Sequence, residues 1–187
     1  MNAQECFKVG NLTVKIYQDE DPQSPETYGD DEVFIVTGQN RYFEVIPKGF
    51  SVEVIQEHLR THKRYNGFKV YLLYAYIHSG VALSLGREYP FSCQWDSGQI
   101  GFVLVKFKGN RKHNKLAEGI VDEWNMYLSG DVWGVVVEDE NGGELESCWG
   151  FYGIEYALKE AREMAQGCIE SERKRVCTES EGLGLDR

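Results

Sequence analysis

The chain has 187 residues, 42% hydrophobic and 13% aromatic, with a formal net charge of −10. A chain of that length and apolar content is enough for one domain burying roughly 70% of its unfolded surface, which excludes an intrinsically disordered polymer. The acidic balance argues against a general nucleic-acid binder, because phosphates are repelled by such a surface.

Met1–Gly10 has no apolar stretch of the kind a signal peptide carries, and no run approaches ~18 consecutive apolar residues. The expected location is therefore the cytoplasm, with no membrane partner. Cys6, Cys93, Cys148, Cys168 and Cys177 are odd in number and form no CxxC pair. That pattern predicts reduced thiols, not a disulfide framework or a zinc knuckle.

In chain order, Leu12–Tyr17 alternates and predicts a short strand, followed by an acidic loop over Asp19–Asp31 broken by Pro22, Pro25 and Gly29. Val33–Thr37 predicts a second strand. Ser51 can cap a helix that carries Val52, Ile55 and Leu59 on one face and ends by Gly67. Phe68–Ile77 is apolar on both alternating faces, as a central strand buried on two sides would be.

Ile100–Phe107 reads as a similar strand, and the glycine-containing stretch between the two predicts loop or short bent strand. Leu116, Ala117, Ile120, Val121, Trp124, Tyr127 and Leu128 form a helical stripe stopped by Gly130. Asp131–Glu138 and Glu144–Trp149 flank Asp139-Glu140-Asn141-Gly142-Gly143, a hairpin signal. Ile154, Ala157, Leu158, Ala161, Ala165 and Cys168 mark a last amphipathic helix.

The expected fold is α+β: a single domain over residues 1–170, with an antiparallel or mixed sheet and two to three helices packed mainly on one face. Residues 171–187 are expected to form a frayed helix end and a flexible charged tail.

Chemistry is concentrated in two places. His78 closes one long strand and Asp96 opens the next, so pairing of the strands would bring imidazole and carboxylate together. An Asp can fix the tautomer of a His and make it a general base, with Ser79 or Ser97 as a nucleophile. The plainer role for Asp96 is to accept loop amides. The acids Asp19, Glu20, Asp21, Asp30 and Asp31 form a solvated surface or, with Asp96, offer Asp19 and Asp21 as oxygen ligands to Mg²⁺ or Ca²⁺.

His58 and His62 have metal-binding spacing but no matching motif, and Cys148 is expected to pack in the core. The basic run Lys106–Lys115 could contact phosphate or an acidic protein, and no phosphate loop or dinucleotide fingerprint implies a cofactor.

Four blocks belong together. They are Tyr74-Ala75-Tyr76-Ile77-His78-Ser79-Gly80; Pro90-Phe91-Ser92-Cys93-Gln94-Trp95-Asp96-Ser97-Gly98-Gln99-Ile100-Gly101; Tyr127-Leu128-Ser129-Gly130-Asp131-Val132-Trp133-Gly134; and Ser147-Cys148-Trp149-Gly150-Phe151-Tyr152-Gly153. In combination, from about Lys15 to Gly153, the chain resembles a family of uncharacterised phage and prophage proteins. It departs from that family at Ile77, where an Asp is usual, and over Glu26-Thr27-Tyr28-Gly29.

The resemblance implies a phage setting and supplies no reaction. With the acidity and the lack of a catalytic motif, it leads to an expected accessory protein that binds and inhibits a host protein or nucleoprotein complex, of the anti-CRISPR or anti-restriction type. Its expected contact residues are Asp19, Glu20, Asp21, Asp30, Asp31, Trp95, Asp96, Ser97 and Gln99. The alternatives are a metal-assisted hydrolase or nucleotide-processing enzyme using Asp19, Asp21, His78 and Asp96, which requires those side chains to converge, and a phage structural or assembly component.

Overall fold

A computed structural model of the chain describes residues 3–25, 32–38, 44–86, 91, 95–109 and 112–182, with side chains to residue 175. In chain order the elements are β1 (Glu5–Val9), β2 (Leu12–Gln18), β3 (Val33–Thr37), α1 (Val52–Leu59), β4 (Phe68–Ile77), β5 (Val81–Gly86), β6 (Ser97–Lys106), α2 (His113–Ser129), β7 (Val132–Glu138), β8 (Glu144–Tyr152) and α3 (Ile154–Gly182). The fold is α+β, and every strand pairing among the described residues is antiparallel. The strands divide between two four-stranded sheets, and the chain forms two compact units, one from residues 1–22 and 130–187 and the other from residues 23–129.

In the first unit the sheet order is β1-β2-β7-β8. The register Val14↔Val137 and Ile16↔Val135 places Leu12, Val14, Ile16, Val135 and Val137 on one face. There α3 lies across them on Ala157, Ala161 and Ala165, whose four-residue spacing and small side chains bring the helix close to the strands. Asp131 fixes the start of α3, its carboxylate accepting from the Ile154 amide and the Trp133 indole. α3 continues to Gly182, so the segment expected to fray from Ser171 is helical over most of its length.

The other face of this sheet is sparsely covered. Lys15 donates to Glu138 at 2.7 Å, and that bond holds the ammonium above its ordinary pKa. Trp149 lies directly over Gly134, where any Cβ would collide with the indole, and stacks beside Tyr17 at 6.2 Å. Trp149 and Gly150 together oppose Gly134 in a β-bulge, and Gly150 takes the φ of +85° that such a bulge assigns to glycine.

In the second unit the order is β3-β6-β4-β5, and the sheet carries a helix on each face. Ile35, Leu73, Ala75, Leu83, Val103 and Val105 pack against Ala117, Val121 and Trp124 of α2. On the opposite side Val36, Phe102 and Leu104 meet Ile55 of α1, together with Tyr65 and the clustered rings of Phe34, Phe50 and Phe68. Full burial of a side chain such as Phe102 or Ile55 contributes about 2 kcal/mol each.

Ser51 caps α1 as expected: its hydroxyl accepts from Val54 N at 3.4 Å and donates to Glu53 at 2.5 Å. At the outer edge of the sheet, Asn125 of α2 reaches β5, its Oδ1 accepting from Leu83 N at 2.7 Å and its Nδ2 donating to Leu83 O at 3.0 Å.

Candidate functional site

The end of the second sheet where β4 finishes and β6 begins gathers the residues that sequence reasoning singled out. β4 and β6 pair along their length, and the ladder is interrupted once: Leu73 faces Gly101, Tyr74 faces Gln99, and Ile100 is the extra residue between. Beyond this bulge Ser97 lies opposite Tyr76, and Ile77 N donates to Asp96 O at 2.6 Å, so the backbone carries Asp96 to the end of β4.

There the Asp96 carboxylate approaches His78 Nδ1 at 3.4 Å. His78 sits in the short turn to β5, with its ring stacked on Tyr76 at 6.3 Å; Phe91 tilts against Tyr76 at 5.8 Å. The predicted meeting of His78 and Asp96 is therefore present in the structure.

Its surroundings decide what it can do. The side chains are 66% and 36% exposed, so water screens the pair and the contact resembles a surface ion pair worth up to about 1 kcal/mol. It orients the imidazole and keeps an acid, a hydrogen-bonding ring and two flanking aromatic rings at one edge. Trp95 extends this surface: its side chain is 96% exposed. Gln99 is exposed, while Ser97 is half-buried and Ser79 lies exposed in the turn.

The acids of the first unit are arranged differently. Asp19 Oδ1 accepts from the Asp21 amide at 3.1 Å, an Asx-turn that organises the loop after β2, while Glu20 and Asp21 are exposed. Asp30 and Asp31 lie outside the described residues. The possible metal set of Asp19, Asp21 and Asp96 draws on both units, and among the described residues no three His, Cys, Asp or Glu side chains are grouped to hold a metal ion. His58 and His62 stack on each other at 4.3 Å, and Thr61 Oγ1 lies 2.8 Å from His62 Nδ1.

One other expectation changes. Cys148 is exposed, because β8 is solvent-exposed from Glu144 through Trp149 and gives a core cysteine nothing to pack into. Several side chains in or facing the basic run are engaged: Lys108 pairs with Glu32, Arg64 lies over the Phe107 ring at 3.7 Å, and His113 stacks on that ring at 5.1 Å. Tyr76 was missed as a site residue, although its two-residue spacing from His78 in an extended segment was a sufficient signal.

No described helix is long and apolar enough to cross a membrane. Comparison of the chain with protein-family models, curated proteins and solved structures gives no match.

Proposed function

We propose that this protein acts by binding: a phage-encoded accessory protein that engages and inhibits a host factor, a component of a bacterial defence system. The observation that carries the reading is Trp95, 96% exposed beside the His78–Asp96 pair. An indole held in water gains about 2–3 kcal/mol when a partner buries it, and tryptophan is a favoured anchor of protein interfaces. Asp96 and the chain's net charge of −10 favour a basic face on that partner. The phage setting rests on the four sequence blocks, two of which supply this site.

The test is expression in bacteria carrying a restriction or CRISPR system, challenged with a phage that the system blocks. Wild type is expected to restore plaque formation, and Trp95→Ala and Asp96→Ala to lose that effect while remaining folded by circular dichroism. Affinity capture with the same three proteins identifies the target. Full protection of phage by both variants would remove this surface from the function, and no protection by wild type in any such strain would remove the function itself.

The 3.4 Å His78–Asp96 contact also favours a second reading, a hydrolase with His78 as general base. It requires a phosphoester or ester turnover that His78→Gln abolishes.

A further inference from the structure

The first unit's sheet ends on β8, and the segment Glu144–Trp149 of that strand is solvent-exposed throughout. Held by β7 on one side only, such a strand presents a row of backbone N–H and C=O groups to any chain that arrives in extended form. Among the described residues no other strand pairs with Glu144–Cys148. At the corresponding edge of the second sheet the protein supplies its own cover, since the Asn125 amide occupies both backbone groups of Leu83.

The charge around β8 selects what can be added. Asp139, Glu140, Glu144 and Glu146 follow one another with no Lys or Arg among them, while the neighbouring Glu138 is taken up by Lys15. Two copies of β8 brought edge to edge would set these acids against each other, which disfavours self-pairing. A strand with Lys or Arg at alternate positions meets them with opposite charge. A groove of about 400 Å³ opens beside the start of β8, between the β7–β8 turn and α3, lined in part by Leu145, Glu146, Cys168, Glu172 and Arg175. Its acids suit one cationic side chain of the added strand, with Arg175 on the α3 wall marking the side that repels it.

We propose that β8 is a strand-addition site for an extended, basic segment of a partner protein, recognised by its main chain along Glu144–Cys148 and by alternate cationic side chains. This surface lies in a different unit from Trp95, and the proposal does not depend on the function assigned there.

The experiment uses the full chain and a nine-residue capped peptide alternating Lys and Val, with the Glu/Val peptide as control. Binding is followed by calorimetry and by backbone amide exchange. The Lys peptide is expected to bind, the Glu peptide not to bind, and alternate amides within Glu144–Cys148 to exchange about tenfold slower or more in the complex. The variant E144K/E146K is expected to reverse the preference between the peptides.

No binding of the Lys peptide would overturn the proposal, as would binding that leaves the β8 amides unprotected, since that is electrostatic attraction without strand addition. Protection of those amides in the absence of peptide, with a dimeric mass by light scattering, would assign the edge to a second copy of the chain instead.

Discussion

The two sheets have the same strand number and the same antiparallel pairing, yet they are finished in opposite ways. The second unit's sheet is buried on both faces, by α1 and α2, and its β5 edge is closed by Asn125. The first unit's sheet has one face under α3, a sparsely covered face bearing Tyr17 and Trp149, and an exposed outer strand. Doubly covered sheets concentrate apolar burial, whereas half-covered ones trade burial for accessible backbone and side chains. Stability is therefore expected to be most sensitive to change in the second sheet, and capacity for interaction greatest at β8 and at the open end that carries Trp95.

Five changes would break or sharpen that contrast. Phe102→Ala empties a 2% exposed position between β6 and α1, and should cost about 3–5 kcal/mol in chemical denaturation. A loss below about 1 kcal/mol would mean the aromatic side of the second sheet is not a packed core.

Gly134→Ala places a methyl group where the Trp149 indole lies. It should cost about 1–3 kcal/mol and change tryptophan emission as the ring lifts off the sheet. Unchanged emission would show that the indole does not rest there.

Asn125→Leu removes both bonds to Leu83 and should cost about 1–2 kcal/mol. It should also speed amide exchange in Val81–Gly86, making the β5 edge resemble β8; unaltered exchange there would deny Asn125 its role as edge cover.

The smallest effect concerns α1. Ser51→Ala should cost about 1 kcal/mol through the lost cap. The Ser51 hydroxyl also holds the Glu53 carboxyl below its ordinary pKa of 4.5. A depressed folded-state value means that this contribution is present above the unfolded pKa and fades as pH falls through the folded one. Stability measured from neutral pH down to about 3 should fall less steeply in Glu53→Gln than in wild type; identical slopes would show that the contact does not persist in solution.

Local patterns made much of this architecture legible. The stripes of α2 and α3 were readable because a dozen or more residues repeat one period, and the Asp139–Gly143 turn because its glycines and Asp139 leave little alternative. The meeting of His78 with Asp96 followed from two long strands being neighbours. β1 was not recognised, because Glu5–Val9 is short and mixed in polarity, and β5 was anticipated only as loop or short bent strand, because Val81–Gly86 sits among turn residues.

The division into two sheets had no local signal at all. Lys15 finds Glu138 across 123 residues, and nothing near either one specifies the other. Trp95 was selected as an exposed loop residue, but its near-complete exposure depends on what does not surround it, which no window of sequence contains.

That 123-residue separation also sets an order of events during synthesis. β1 and β2 leave the ribosome before the second unit, and their partner β7 is made only after the whole of it. At roughly 5–20 residues per second, β2 waits on the order of 6–25 s for its neighbour. During that interval Leu12, Val14 and Ile16 have neither β7 nor α3 to cover them. The second unit is contiguous in the chain and can close while the first is incomplete. The nascent β1–β2 hairpin thus exposes an apolar face to chaperones until β7 and α3 are made.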